Sequence, residues 1–259
     1  MAAKKITIAA VICAAGSSKR MGGVKKEYLR LRKGRKSQTV LTAAVAAFAS
    51  CPAIGPIVIS MPAVRKKDNA ALSVLLRELC SIAPDCGERI RFVRGGPTRR
   101  ASVYNALLYL EELKPSYVLI HDGARPWIKK TLIEKVISAA IQYGAAIPAL
   151  PMTETPKELS YPLKDKSVPA GNYIKRHLRR TDLCVAQTPQ GFKFPELLEA
   201  HGKAEARAAK KHIEYTDDAE IWGEFTGKVA VIQGDPGNRK ITYPEDIAIQ
   251  HKEKSKCKE

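Results

Sequence analysis

The sequence predicts an α/β fold with a doubly wound, mostly parallel sheet. Short apolar stretches typical of buried strands alternate with longer stretches that have the periodicity of amphipathic helices. The strand-like stretches are near-continuous apolar runs, as at residues 6–13, which is typical of parallel strands covered by helices on both faces. Ligands of such sheets bind beyond the carboxyl ends of the strands, so the residues after each strand are the candidates for function.

The predicted elements follow one another regularly through the first part of the chain. Strands are expected at residues 6–13, 57–59, 90–93, 117–120 and 145–150, and helices at 38–50, 69–79, 98–113 and 130–143. Prolines after Cys51 and Lys114 support two of the helix ends, because proline cannot continue a helix. Later we expect a strand that includes 185–186, helices at 195–212 and 217–225, a strand at 229–232 and a final helix that opens at 243–246.

The regular alternation stops after Met152. Residues 153–181 are polar and contain three prolines and seven Lys or Arg residues. A long insertion inside a compact domain is usually functional or disordered, and this one is flanked by two extended stretches. We therefore expect one domain over residues 1–259, with a projecting arm at about 153–181.

Composition excludes several classes of protein. Of the 259 residues, 45% are hydrophobic, which is enough for a real core, and no stretch approaches the roughly 18 apolar residues of a membrane span. Residues 1–5 lead directly into a strand without the apolar segment of a secretion signal. The six cysteines form no Cys-x-x-Cys pair and no cluster with histidines, so neither a disulfide framework nor a zinc site is indicated. We expect a cytoplasmic protein without a membrane partner.

The formal net charge is +18. Residues 1–40 hold eleven Lys or Arg and one Glu, and residues 251–258 form a basic tail. Such an excess of positive charge is typical of either a nucleic-acid-binding protein or an enzyme whose substrates are phosphates. Because no known nucleic-acid-binding module occurs and cations follow the strands, the enzyme is favoured and no specific nucleic-acid partner is expected.

The end of the first strand has the composition of an anion site. Ala14, Ala15 and Gly16 let the backbone approach a ligand closely, and Arg20 and Lys26 follow them. A strand that ends in small residues and opens a short helix exposes backbone N–H groups to an anion, and the cations add charge. The pattern predicts a polyphosphate site, although an ordinary turn with solvated lysines has the same appearance.

Two further strand ends carry unusual residues. Gly95 and Gly96 precede a helix and suit close backbone contact with a ligand, and Ser102 could bond a base or ribose edge; an ordinary glycine turn is the alternative. Asp122 ends the fourth strand, where one carboxylate beside substrate phosphates suits Mg²⁺; a turn cap is the alternative. The loop at 234–240 offers another carboxylate and a lysine.

Familiar nucleotide motifs are missing. The sequence has no Gly-x-x-x-x-Gly-Lys-Ser/Thr loop and no Gly-x-Gly-x-x-Gly after the first strand, so P-loop and dinucleotide-binding proteins are disfavoured. The histidines at 121, 177, 201, 212 and 251 have no evident partner and are expected to be structural or on the surface.

Short motifs nevertheless occur in the order of a known family, from about Ile8 to Asp246. They are Ala14-Ala15-Gly16, Arg20-Met21, Lys26-Glu27-Tyr28, the runs at 121–126 and 186–190, and Thr216-Asp217-Asp218-Ala219. Together they resemble the 2-C-methyl-D-erythritol 4-phosphate cytidylyltransferase family. The resemblance implies a Rossmann-like enzyme that transfers CMP from CTP to that polyol phosphate and releases pyrophosphate, in the non-mevalonate isoprenoid precursor pathway. Ribitol-5-phosphate cytidylyltransferases share nearly all of the nucleotide motifs and remain an alternative.

The resemblance implies roles in CTP binding and catalysis. Arg20 and Lys26 would stabilise the pentavalent phosphorus that forms when the substrate phosphate attacks the α-phosphate of CTP, and Lys240 would contact the triphosphate. Asp122 would bind CTP and Mg²⁺ or another divalent cation. The other implied CTP contacts are Ala14, Ala15, Gly16, Gly95, Gly96 and Ser102. Lys25 stands where the family usually has proline, so either Lys25 or Lys26 could be the catalytic lysine.

Further residues would bind the acceptor. Thr155, Arg180 and Thr188 match positions that hold the substrate phosphate, which in the family involves an arm from a second subunit, so a homodimer is implied. Asp235 falls where the family supports the substrate hydroxyls. Arg125 lies in the same motif as Asp122 and is assigned to substrate binding, with support of the metal-side loop as its other possible role. The neighbouring Arg179 leaves the assignment of Arg180 open.

Overall fold

Strands and helices alternate along the chain in the predicted order. A computed structural model describes residues 6–22, 24–31, 38–63, 69–82, 86–160, 173–211 and 213–248. Strands β1 to β10 are Ile8–Cys13, Ile54–Met61, Ile90–Arg94, Tyr117–Asp122, Ala145–Pro151, Lys157–Ser160, Tyr173–His177, Cys184–Ala186, Gln190–Lys193 and Ala230–Gln233. Helices α1 to α8 are Val40–Ala49, Asn69–Ile82, Cys86–Arg89, Arg99–Glu111, Lys130–Tyr143, Phe194–Lys211, Asp218–Phe225 and Glu245–Ala248. The histidines at 212 and 251, residues 1–5 and the basic tail lie outside the described residues.

One mixed sheet forms the centre of the molecule. Its order is β10-β5-β9-β4-β1-β2-β3, and β8 pairs with β5. The pairs of β1 with β2 and β4, of β2 with β3 and of β5 with β10 are parallel. Strands β8 and β9 are antiparallel to their neighbours. The predicted mostly parallel α/β sheet is therefore confirmed, with β9 as a strand that the sequence pattern did not predict.

Alternate residues of β1 pack on opposite faces of the sheet. Ala10 and Ile12 belong to the core cluster that includes side chains of α1, α2 and α5. Ala9 and Val11 belong to the cluster with α4 and α6. Burial on both faces explains why this strand is apolar throughout, as the sequence analysis assumed.

Helix starts bring side chains to the carboxyl edge of the sheet. Thr98 caps α4, where its Oγ1 accepts a hydrogen bond from the Ala101 N–H at 3.1 Å. Asp217 caps α7 in the same way through the Glu220 N–H at 2.9 Å. Such caps satisfy N–H groups that have no partner inside the helix. Arg99 and Asp218 thereby become the first helical residues of α4 and α7.

The predicted arm contains a small sheet of its own. Strands β6 and β7 pair antiparallel, with Lys157 opposite His177; residues 161–172 lie outside the described part of the chain. Leu159 and Ile174 are each 51% exposed and Tyr173 is 52% exposed. No helix in the described residues is long and apolar enough to cross a membrane.

Candidate active site

A cavity of about 580 Å³ opens beyond the carboxyl ends of β1, β3 and β4. Its wall is formed by the loop after β1, the start of α4, the end of β4 and the segment at 240–242. It brings together eight of the predicted CTP-binding and catalytic residues, namely Ala15, Gly16, Arg20, Lys26, Gly96, Ser102, Asp122 and Lys240. The strand ends therefore converge as expected for a parallel sheet.

Ala14 and Gly95 lie behind this wall and allow two loops to touch. The Ala14 N–H donates to Ser60 O at 3.0 Å, and the Gly95 N–H donates to Met61 O at 2.8 Å. A Cβ on Gly95 would overlap the Cβ of Ala15 and come within 3.0 Å of the Ser102 hydroxyl oxygen. Only glycine permits this approach of the loops.

The Ser102 hydroxyl closes the glycine loop. It donates to Thr98 O at 2.8 Å and accepts from the Gly96 N–H at 3.1 Å. A hydroxyl has one donor and two acceptor lone pairs, so one acceptor position remains for a ligand. The hydroxyl thus shapes the loop, a role that the sequence did not suggest.

Two neighbouring lysines occupy different environments. Lys26 lines the cavity and its Nζ donates to Ile241 O at 3.0 Å, whereas the Lys25 Nζ donates to Gly16 O at 2.6 Å. Burial lowers the pKa of Lys26. The geometry therefore makes Lys26, rather than Lys25, the lysine of the cavity wall. Arg20 stacks on Tyr243, with its guanidinium carbon 5.7 Å from the ring centroid.

Three cations surround the Asp122 carboxylate. Lys240 Nζ is 2.9 Å and Arg125 Nε 3.4 Å from Oδ2, and Arg99 Nε is 3.6 Å from Oδ1. Burial alone would raise the pKa of Asp122, but these cations hold it well below its usual range. The side chain is therefore ionised at neutral pH. One hard carboxylate on the wall of the 580 Å³ cavity fits the donor set of Mg²⁺, which takes one or two carboxylates plus substrate phosphates.

Arg99 is a cavity residue that the sequence analysis missed. Its Nη2 donates to Asp218 Oδ2 at 2.7 Å, while the next residue, Arg100, turns away to pair with Glu205. The available signal was position: Arg99 is the first residue of a helix that follows the glycine loop. Because its partner is 119 residues away, the pairing could not be read from local sequence.

The motif at 186–190 fixes the neighbouring loops. Gln187 Nε2 donates to Asp235 O at 2.9 Å, and Gln187 Oε1 accepts from the Asp235 N–H at 3.1 Å. The Asn238 Nδ2 donates to Thr188 O at 2.7 Å. Thr188 Oγ1 accepts from the Asp122 N–H at 3.1 Å. These bonds hold the end of β4 and the loop at 234–240 together.

The predicted acceptor residues are more dispersed. Thr188 is buried beneath the strand end, and Asp235 Oδ2 is 2.8 Å from Lys129 Nζ. Arg180 is exposed on the arm, where its Nη1 donates to Thr153 O at 2.8 Å; Thr155 is also exposed. Within the described residues, none of the predicted acceptor residues, Thr155, Arg180, Thr188, Asp235 and Arg125, lines the 580 Å³ cavity. Their contacts with an acceptor remain predictions.

Two buried histidines have partners that the sequence did not reveal. His121 is fully buried, with Nδ1 3.0 Å from Thr188 Oγ1 and Nε2 3.3 Å from Arg125 O. Burial lowers its pKa to about 4, so the ring is neutral at pH 7. His201 Nε2 lies 3.2 Å from Asp218 Oδ1. The expected structural role fits both, and their partners lie too far along the chain to be evident from the sequence.

Comparisons with known proteins give consistent matches. Residues 8–252 match the sequence model of the family described as IspD: 2-C-methyl-D-erythritol 4-phosphate cytidylyltransferase. A bifunctional enzyme IspD/IspF of Bradyrhizobium sp. (strain ORS 278) is 40% identical over 246 residues, which cover 92% of this chain and 54% of that protein. The chain thus spans about half the length of this bifunctional relative.

A shorter relative and a solved structure match over nearly their whole length. A 2-C-methyl-D-erythritol 4-phosphate cytidylyltransferase of Bacillus mycoides (strain KBAB4) is 34% identical over 240 residues, which cover 92% of this chain and 94% of that protein. The crystal structure of a 4-diphosphocytidyl-2C-methyl-D-erythritol synthase from Anaerococcus prevotii DSM 20548 has a TM-score of 0.72 at 27% identity, covering 94% of each chain.

Proposed function

The chain belongs to the 2-C-methyl-D-erythritol 4-phosphate cytidylyltransferase family, and from this premise we propose that it transfers CMP from CTP to 2-C-methyl-D-erythritol 4-phosphate. The reaction releases pyrophosphate and belongs to the non-mevalonate isoprenoid precursor pathway. The observation that carries the proposal is the convergence of Arg20, Lys26 and Lys240 on one cavity, beside a glycine loop and a carboxylate.

In the proposed reaction, a phosphate oxygen of the acceptor attacks the α-phosphorus of CTP. The bond from that phosphorus to the oxygen that bridges to the β-phosphate breaks, and pyrophosphate leaves with the bonding electrons. Arg20 and Lys26 would meet the negative charge that grows on the α-phosphate, and Lys240 would bind the triphosphate. Cations placed where charge develops raise the rate more than they tighten substrate binding.

Asp122 would hold Mg²⁺ together with phosphate oxygens, and the bound ion would neutralise charge on the triphosphate. Lys240 lies 2.9 Å from the same carboxylate and is 36% exposed, so its side chain can turn from Asp122 to the phosphates when they enter. Arg125 stays beside Asp122 because its Nη1 also donates to Asn238 O at 2.8 Å.

The glycine loop would recognise the base. The N–H groups of Gly95 and Gly96 already donate to Met61 O and Ser102 Oγ. We therefore expect backbone carbonyls, rather than N–H groups, to meet the exocyclic amino group of cytosine. Uracil has an acceptor in that position and would face a carbonyl without a donor, which favours CTP over UTP.

The acceptor site would be completed by a second copy of the chain. Thr155 and Arg180 stand on the arm, whose apolar side chains Leu159, Tyr173 and Ile174 are about half exposed. Packing of these side chains against a partner subunit would carry both ligands to the partner's cavity, where Arg180 suits a terminal phosphate through its two parallel N–H donors. We place this homodimer in the cytoplasm, with soluble substrates and without nucleic acid or membrane as a partner.

The proposal is tested by pyrophosphate release from CTP with 2-C-methyl-D-erythritol 4-phosphate or ribitol 5-phosphate in parallel. Release is expected with the first acceptor and Mg²⁺, and not with UTP, without acceptor or in a chelator. Faster release with ribitol 5-phosphate would keep the chemistry but change the substrate. No release with either acceptor would contradict the proposed function.

A further inference from the structure

The motif Thr216-Asp217-Asp218-Ala219 has no role in the proposed reaction, yet it is firmly held. Asp217 Oδ2 accepts a hydrogen bond from Gln190 Nε2 at 2.8 Å. Gln190 Oε1 in turn accepts from the N–H groups of Asp218 at 3.2 Å and Ala219 at 3.1 Å. The start of α7 is therefore fixed on β9.

This arrangement directs the Asp218 side chain into the protein. The side chain is 0% exposed, and its Oδ2 accepts from Arg99 Nη2 at 2.7 Å. Its Oδ1 lies 3.2 Å from Nε2 of His201, which is also fully buried. Because an ionised carboxylate can only accept, Nε2–H of His201 is the donor to Asp218, and Nδ1 has no hydrogen-bond partner among the described residues. Asp218 therefore touches the cavity only through Arg99.

Arg99 stands between two carboxylates. It lines the cavity and is 24% exposed, with Asp218 behind it at 2.7 Å and Asp122 in front at 3.6 Å. The closer bond goes to the deeper carboxylate. Without Asp218, the nearby carboxylate of the Arg99 guanidinium would be Asp122, and the guanidinium could pair with both Asp122 oxygens.

We propose that Asp218 is a positioning residue of the nucleotide site, which holds Arg99 at the cavity wall so that the guanidinium meets the bound nucleotide and Asp122 keeps its oxygens accessible. The inference rests on the proposed function and adds to it a role for the motif at 216–219.

The charges of the pair support this role. Burial alone would raise the pKa of Asp218, but Arg99 and the hydrogen bond from His201 hold it below its usual value. The pair therefore stays ionised at neutral pH. Removing the charge of Asp218 would leave Asp122 as the carboxylate beside Arg99, so the orientation of the guanidinium depends on Asp218.

The test measures CTP binding by titration calorimetry with Mg²⁺ and no acceptor, together with thermal unfolding. Asp218→Asn removes the charge and keeps the shape, and Asp217→Asn is the matched control on the same helix turn. Breaking a buried charge pair weakens binding by at least several-fold. We therefore expect Asp218→Asn to weaken CTP binding about tenfold, and Asp217→Asn to weaken it less than about twofold. In the Arg99→Lys background, Asp218→Asn should add little, because the two side chains act as one unit.

Each alternative outcome decides the matter. If the wild-type protein does not bind CTP, the proposed function fails and this inference with it. If the wild type binds CTP and folded Asp218→Asn binds it equally well, only this inference fails, even where the melting temperature falls. Should Asp218→Asn not fold, Arg99→Lys carries the test, because a lysine cannot reproduce the fork; unchanged CTP affinity in that variant would overturn the proposal.

Discussion

The nucleotide cavity and the arm differ in how firmly their side chains are held within one chain. At the cavity, loops are joined by side-chain bonds, as between Gln187 and Asp235, and Asp122 is enclosed by cations. On the arm, Thr155 and Arg180 are exposed and the sheet ends in half-exposed apolar side chains. The side chains of the cavity are fixed by bonds within the chain, whereas Thr155 and Arg180 point into solvent.

The interactions within each region explain this difference. The arm strands carry ion pairs of Glu158 with Lys175 and Arg176, which are exposed and therefore contribute little to stability. The cavity is instead held by buried hydrogen bonds, such as that from the Asp122 N–H to Thr188 Oγ1. The comparison teaches that one chain holds its cavity through buried bonds, whereas the described residues of its arm have few such bonds of their own; if the proposed dimer forms, the arm would gain its order on assembly.

The largest expected effect comes from the cavity. Lys26→Ala should lower kcat by about 10²–10³-fold, by analogy with the loss of one donor to a transition-state oxyanion. The KM for CTP should change much less, because the contact forms mainly in the transition state. Pyrophosphate release measures both quantities. Lys25→Ala is the control and should lose less activity, since its Nζ binds Gly16 O; the reverse order would assign catalysis to Lys25.

A smaller effect concerns the pH dependence of the free energy of unfolding, through the buried His121 next to Asp122. His121 is buried beside Asp122 and Arg125, and its pKa falls from 6.5 to about 4. Between these values the unfolded chain binds more protons, so this histidine makes folding less stable as the pH drops from about 6.5 to 4, by at most about 3 kcal/mol. Denaturant unfolding of wild type and His121→Gln across this range should show a flatter dependence in the variant. Equal slopes would contradict a buried neutral ring.

Mixing two inactive variants would test the arm. An Arg180→Ala chain would lack the ligand that the arm is proposed to donate, and a Lys26→Ala chain would lack the proposed catalytic cation. In a heterodimer with exchanged arms, one site carries both defects and the other is intact, so activity should return to about half that of a wild-type dimer. Each variant alone is the control. Confirmed heterodimers without recovered activity would mean that the arm serves its own subunit.

The smallest expected effect lies at the rim of the cavity. Arg20 stacks over the half-exposed ring of Tyr243. Exposed cation–π contacts are worth roughly 0.5–1 kcal/mol, so Tyr243→Leu should lower kcat by about two- to fivefold through a less well placed Arg20. Tyr243→Phe keeps the ring and should behave like wild type. If Leu and Phe variants are alike, the stacking does not position Arg20.

The parts of the fold that were predicted are those with a local signal. Apolar runs marked β1 and the parallel strands, and the paired glycines marked the loop before α4. Asp122 could be placed because it ends a strand. By contrast, β9 is only four residues long, contains Gly191 and leads directly into α6, so it has no recognisable period. Gly191 is needed there because a Cβ would come within 2.9 Å of Val136 on α5.

The parts of the site that were missed depend on distant partners. Arg99 and Asp218 are 119 residues apart, and His121 and Thr188 are 67 residues apart. Neither pairing changes the hydrophobic periodicity of the sequence, because each partner lies in a strand, helix or loop that is recognisable without the other. The choice between Lys25 and Lys26 likewise depends on the direction of each side chain. That direction follows from the backbone conformation of the turn, which the sequence alone does not show.

The side-chain amide of Gln187 pairs with the backbone of Asp235 as a neighbouring strand would. It donates one hydrogen bond to the Asp235 carbonyl and accepts one from the Asp235 N–H. A Cβ at Gly234 would come within 2.7 Å of Gln187 Oε1, so the contact is fitted to the main chain. The side chain at position 235 takes no part in this bond. The loop is therefore held twice: this pairing fixes its main chain, and the Asp235 carboxylate fixes the turn that follows, where Oδ1 accepts from the Gly237 N–H at 2.8 Å.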